Sequence, residues 1–304
     1  VTAAHSDHPP GEYQPRVPAA HQDLRIRGLR HRVHVWGDVS APPIIMLHGW
    51  ADTGLSFQFL ADELAGRWRI IAPDWRGFGN SDWNPAGYWI PDYLADLERF
   101  IDVYAGDGPA RLVGHSMGGN VAWMYAGVRP GRVGWAASLD AFGLQDADPR
   151  EAPTRYARWL DQWQEAPAYA DYADLDAVVA RVLERAPRLA AERARFIAAA
   201  WVQQRADGRL ELRHDPAHKR VNPTLYRRAE IEHCWRQIRA RCLLIVGRQS
   251  PFHERYLREA GDRCRGCITG LEEAAVDAGH MLHWEEPRQV AGLLHDFLSR
   301  RPAG

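Results

Sequence analysis

Three short stretches carry residue types suited to one kind of chemistry. GHSMG (114–118) places Ser116 between two glycines two residues away on either side. It lies between an apolar run, ARLVGHS, and a helical pattern that follows it. Small neighbours let a strand and a helix approach through a tight turn, which lifts the serine hydroxyl above the strand. The N–H of Met117, at the helix start, then points at the same spot and is placed to stabilise an oxyanion. LHGW (47–50) closes another apolar run and offers the N–H of Trp50 as a second donor. DAGHMLHWEEP (277–287) supplies His280, a base able to take the serine proton and return it to a leaving group. His283, three residues on, is expected to be packed or surface-exposed.

The elements that must position these residues follow from the hydrophobic pattern. DLRIRGLRHRVHVWG (23–37) alternates around Gly28 and predicts a β-hairpin. Short apolar runs at 42–49, 67–73, 110–116, 132–139 and 241–247 predict buried strands, with a weaker one within 267–277. Helical spacing recurs at 55–66, 90–106, 118–131, in PFHERYLREAG and at 287–300. Alternating strands and helices imply a mostly parallel, twisted sheet covered on both faces. Residues 144–238 break the rhythm: helical patterns dominate there and no convincing buried strand is present. The predicted organisation is a loosely ordered arm over 1–22, a core of 23–143 and 239–304, and an inserted helical cap of 144–238 over the strand ends, where ligands bind in open α/β sheets.

LHGW, APDWRGFGNSD (72–82), LVGHSMGGN (112–120) and DAGHMLHWEEP, in this order and spacing, resemble the motifs of the α/β-hydrolase superfamily, in a form with a helical cap. The resemblance covers about residues 25–300, and the cap sequence around 201–223 is similar to the serine-hydrolase-like branch. It implies an α/β-hydrolase fold, and it implies that Asp74 and Arg76 brace their loop structurally. It also raises a question. In this superfamily the triad acid most often follows the strand written here LLIVG, at the place of Ser250, and a serine cannot hold an imidazolium by charge. Three answers stay open. The acid is Asp140, at the end of the preceding strand in RVGWAASLDAFG, a placement similar to haloalkane dehalogenases with an early acid; this is the favoured reading. It is Glu254, whose place in FHERYL also suits a helix start. Or it is missing altogether.

A serine at the elbow argues against the dehalogenase and epoxide hydrolase branches, which use aspartate there. It implies an acyl-enzyme formed from a small, mostly apolar ester, lactone or thioester, with no cofactor and no metal-ligand cluster apparent in the sequence. Trp50, His115, Trp159 and Trp163 are the candidate pocket residues; most of the other cap aromatics are expected to glue helices together. Two alternatives have different chemistry: carbon–carbon bond hydrolysis of the β-diketone type, and a non-catalytic small-molecule-binding protein on the same scaffold.

Bulk properties exclude other classes. A net charge of −1 gives no field to attract nucleic acid or an anionic membrane. No run of 18 apolar residues occurs, and the first twenty residues lack the apolar centre of a secretory signal. A cytoplasmic protein is the expectation, with its four cysteines as free thiols, including the CxxC of Cys264 and Cys267. Its oligomeric state is not legible.

Overall fold

The computed structural model describes residues 12–165 and 167–302. Its strands are β1 (Ala20–Ile26), β2 (Leu29–Trp36), β3 (Pro43–Leu47), β4 (Arg69–Pro73), β5 (Ala110–His115), β6 (Val133–Leu139), β7 (Val202–Gln204), β8 (Leu210–Leu212), β9 (Arg241–Gly247) and β10 (Glu272–Val276). Eight form one sheet in the order β1-β2-β4-β3-β5-β6-β9-β10. The hairpin β1–β2 is antiparallel at one edge and β2 also runs antiparallel to β4, whereas the pairings from β4 through to β10 are all parallel. The central strands read as continuous apolar runs because both faces are covered: all seven residues of β6 are buried. Successive side chains in β3 go to opposite sides. Ile45 and Leu47 join the core beneath α2 (Ile90–Tyr104) and α3 (Met117–Val128). Ile44 and Met46 join the core beneath α1 (Gln58–Leu64) and the C-terminal helix Pro287–Leu298.

Between β6 and β9 the chain inserts α4 (Ala152–Gln164), α5 (Leu175–Arg185), α6 (Ala191–Trp201), the β7–β8 hairpin and α7 (Arg228–Trp235). Helices α5 and α6 build a third apolar cluster from Val178, Val182, Ala194, Ile197, Ala198 and Trp201, into which the sheet domain sends Phe59, Met281 and Trp284. The insertion is thus seated beside the loop of His280. The β7–β8 hairpin leaves no apolar run to read, since only Val202 of its six residues is buried. Helix α7 packs on α3, Trp235 edge-on to Trp123 at 5.5 Å, rather than on α5 and α6.

The predicted loose arm needs correction. Residues 1–11 lie outside the described residues, and 12–22 are tied down. Tyr13 donates to Asp62 and packs against Phe59 and Phe196, the Val17 N–H donates to Asp62 at 3.0 Å, and β1 begins at Ala20. Asp62 and Phe59 lie 45 or more residues downstream and Phe196 far beyond them, so composition carries no sign of these contacts. The segment after β9 also departs from expectation. The helix runs on to Cys267 through a π-helical stretch, Tyr256–Ala260, so the CxxC lies at the end of a helix and the strand that follows it begins only at Glu272. All four cysteines are free, and burial pushes the Cys264 thiol up to about 12, away from thiolate chemistry. No helix among the described residues is long and apolar enough to cross a membrane.

The loop after β4 is braced by two buried charges. Arg76 donates twice to Asp96, at 2.6 Å each. Asp74 accepts from the N–H of Gly54 (2.7 Å), the N–H of Asn80 (2.8 Å) and His34 Nε2 (3.1 Å). Burial pushes the Asp74 carboxyl up, but the His34 imidazole and the N–H donors outweigh it and hold the group at about 2. Its folded value lies below the ordinary 3.8, so the stability it confers is full above pH 4 and is lost as pH falls through 2. The expected outcome is an advantage of the wild type over Asp74→Asn that shrinks by about 2 kcal/mol between pH 4 and pH 2. Urea titrations over that range measure it, and a gap independent of pH would refute the assignment.

Candidate active site

The turn between β5 and α3 is strained where the motif requires it. Ser116 has φ 50° and ψ −116°, a conformation rarely adopted by a residue with a side chain. The two glycines are sterically obligatory. A Cβ on Gly114 would lie 2.3 Å from the carbonyl group of Gly118, and one on Gly118 would lie 2.1 Å from the Leu47 oxygen. Ser116 is partly exposed, and its Oγ makes no hydrogen bond among the described residues. The N–H of Met117, first residue of α3, and that of Trp50, in the loop after β3, are likewise not spent on other protein groups among the described residues. Free donors at a helix start are the arrangement an oxyanion needs.

Asp140 sits at the end of β6, one strand over from Ser116, and also has positive φ, 51°. Its N–H donates to Ile245 in β9 (2.7 Å), which turns the carboxylate toward the β9 end. Oδ1 accepts from the Gly247 N–H (3.1 Å), and Oδ2 accepts from Ser250 (2.6 Å) and faces His280 Nδ1 at 2.6 Å. Ser250, at the position where the superfamily most often has an acid, is therefore a donor to the carboxylate on the neighbouring strand. A carboxylate on Nδ1 fixes that nitrogen as the protonated one and leaves Nε2 as the basic one. Glu254 is elsewhere: it is exposed on the helical segment and paired with Arg258 one turn on.

The loop of His280 is drawn toward the elbow by closely fitting backbone. A Cβ on Gly247 would lie 2.4 Å from the Gly279 oxygen, so the loop can cross there only over glycine. His115, the residue before Ser116, donates from Nε2 to the His280 carbonyl at 2.9 Å, with the two rings 4.7 Å apart. This corrects the placement of His115 in the pocket. It is fully buried beneath the elbow because, as the residue before the turn, its side chain points inward between Gly49 and His283. His283 is also fully buried, against Phe57 and His115. Burial drives both imidazoles well below their ordinary value, so both are neutral.

Asp52 joins these two histidines, with the ligand-type atoms of all three within 4.8 Å of one another. It is the one such convergence of metal-ligating residue types among the described residues. Its carboxylate is already engaged by Ser56 (2.8 Å) and by Trp201 Nε1 (3.1 Å). The sequence could not reveal the group, since its members are dispersed over the loop after β3, the end of β5 and the short helix Leu282–Glu285.

Trp50, Trp159 and Trp163 do line one cavity, of about 170 Å³, together with Met117, Tyr88, Tyr93 and His218. Sequence reasoning missed the cation that holds the loop of Trp50. Arg185, the last residue of α5, donates to the carbonyl of Ala51 (2.8 Å) and of Trp50 (3.2 Å) and packs on Trp201. Ala51 has φ 54°, so the inserted helix holds a strained loop in the shape that presents the Trp50 N–H. An arginine ending a helix carries no such signal in sequence, where it reads only as a favourable C-terminal charge. Arg185→Met is expected to slow covalent labelling of Ser116 by a fluorophosphonate on the order of tenfold while leaving the melting temperature nearly unchanged. Equal labelling rates would mean that the loop keeps its shape without the cap.

Comparison with known proteins agrees with this fold. Residues 42–287 match the family described as alpha/beta hydrolase fold. A serine hydrolase-like protein of Danio rerio is 27% identical over 278 residues, covering 88% of this chain and 84% of the relative. Serine hydrolase-like protein 2 of Homo sapiens is 24% identical over 280 residues, covering 86% and 88%. Among solved structures, the thioesterase domain from the curacin biosynthetic pathway superposes with a TM-score of 0.84 at 23% identity, covering 92% of this chain and 99% of that one. With more than half its length matched to one family and its fold shared across these relatives, the chain belongs to the α/β-hydrolase family and is a hydrolase of that fold.

Proposed function

We propose that the chain is a serine hydrolase acting on a small carboxylic ester through an acyl-enzyme. The observation that carries this reading is the 2.6 Å contact of Asp140 with His280 Nδ1 beside a strained, partly exposed Ser116. In the proposed sequence, Ser116 Oγ attacks the ester carbonyl while its proton passes to His280 Nε2. The negative charge on the carbonyl oxygen is met by the N–H groups of Trp50 and Met117. Collapse breaks the carbon–oxygen bond of the ester, and the departing alcohol takes the proton from His280. Water then enters, gives a proton to His280, and releases the acid and free Ser116. Asp140 stays charged throughout and holds the imidazole in one tautomer and orientation. The strained elbow supports a nucleophilic rather than a structural role for Ser116, since strain of order 1–3 kcal/mol persists in a fold only when the surroundings enforce it.

The aromatic lining of the cavity suits a compact organic substrate. The test is hydrolysis of p-nitrophenyl acetate by purified protein. Ser116→Ala is expected to remove turnover. Asp140→Asn is expected to lower it by a factor on the order of 10⁴, through the wrong imidazole tautomer. Glu254→Gln, altering an exposed carboxylate, should leave it within about twofold. If only the Glu254 variant collapses, the acid is misassigned. If wild type and Ser116→Ala are equally inert toward a panel of activated esters, the reading as a serine esterase fails.

A further inference from the structure

The cavity beside Trp50 and Met117 is aromatic on most sides, yet one formal charge faces it. Among the described residues that line it, Arg220 is the only lysine, arginine, aspartate or glutamate. Its guanidinium lies 4.2 Å from the ring centre of Trp163, another lining residue. Its Nε is buried and has no hydrogen-bond partner among the described residues. No carboxylate among the described residues lies within ion-pair distance of it, in contrast to Arg205, Arg228 and Arg263 of the same half of the chain, each of which has one. The other basic group in the cavity takes no share of the charge. His218 stacks between Phe78 and Tyr88, gives Nε2 to the Arg76 carbonyl, and is pushed by burial to about 3, so it is neutral at ordinary pH.

The backbone around Arg220 is held in place. Asp215 caps the turn Pro216–Lys219, Tyr88 donates to Asp215 at 2.5 Å, and the Val221 N–H donates to Gln162 at 2.7 Å. A fixed, half-buried guanidinium with an unspent N–H is costly unless an acceptor arrives. Its planar fork matches a carboxylate in two parallel hydrogen bonds, and the aromatic face behind it orients that fork.

We propose that Arg220 is a specificity contact for a carboxylate carried by the substrate, so that the preferred ester is an anionic one, bearing the acid on either its acyl or its alcohol part. The inference rests on the serine hydrolase reading of the same site. It alters the expectation of a mostly apolar substrate: the cavity walls are apolar, but one substrate end is charged.

The experiment compares matched pairs that differ by one carboxylate. The acyl-side pair is p-nitrophenyl hydrogen glutarate against p-nitrophenyl valerate. The alcohol-side pair is 4-acetoxybenzoate against 4-acetoxytoluene. The expected result is that wild type favours the anionic member of one pair by about tenfold or more in kcat/KM. Arg220→Gln should lose that preference through KM while keeping the rate on the neutral member, and Arg220→Lys should restore part of it. Which pair responds tells where the carboxylate sits. Hydrolysis of neutral esters that depends on Ser116 but carries no anionic preference in either pair would overturn the Arg220 assignment and leave the hydrolase reading standing. So would a preference that survives Arg220→Gln. Absence of turnover for all four esters would overturn both.

Discussion

The site depends on one constraint in the sheet: two non-glycine residues, Ser116 and Asp140, are held at positive φ at the ends of adjacent parallel strands. Neither conformation is favourable by itself, and each costs of order 1–3 kcal/mol. The ladder enforces both. The Ser116 N–H donates to Leu139 at the end of β6, and the Asp140 N–H donates to Ile245 in β9. The strand ends are thus laced in sequence, β5 to β6 to β9, and each strained residue is locked by its neighbour's backbone. The strands supplying that lock are almost wholly buried, so the strain is opposed by apolar burial from both faces.

The same lacing explains an acid on β6 in place of one after β9. A carboxylate at the end of either strand lies next to the loop that carries the imidazole, because β6, β9 and β10 are consecutive in the sheet. At the β6 position Asp140 also gains two donors from the β9 loop, the Gly247 N–H and the Ser250 hydroxyl. Ser250 is therefore complementary to the migrated acid. A second carboxylate there would meet Asp140 as a like charge, whereas a hydroxyl satisfies one of its lone pairs.

What could be read from sequence divides along the range of the interactions involved. The sheet, its elbow and the order of Ser116, Asp140 and His280 were legible, because buried parallel strands write continuous apolar runs and strained turns demand glycines at fixed offsets. The preference for Asp140 over Glu254 is legible in sequence as a preference only: the contact that supports it joins residues 140 apart. The arm anchored by Tyr13, the inward turn of His115, the grip of Arg185 on the loop of Trp50 and the convergence of Asp52, His115 and His283 were not legible. Each depends on which way a side chain points across a distant loop, and no local periodicity records that. The β7–β8 hairpin was lost for the opposite reason, since its pairing is local but its residues are too exposed to leave an apolar pattern.

The buried imidazoles beneath the elbow have a consequence for the proposed base. Proton transfer from Ser116 would make His280 a cation, and any fixed positive charge near it would oppose that step. Of its neighbours, His115 and His283 are fully buried, and desolvation first, then repulsion from His280 and Arg185, with that of His283 on His115, keep both neutral. His115 adds an orienting hydrogen bond to the His280 backbone without adding charge. The carboxylate of Asp140 lies 2.6 Å from its Nδ1, where a negative charge favours the imidazolium. Burial of polar rings, ordinarily a cost to stability, here keeps His115 and His283 from adding positive charge beside a transient imidazolium. The insertion extends this arrangement. Arg185 brings its charge to the carbonyls of the Trp50 loop, on the side of the site where a developing oxyanion would gain from it.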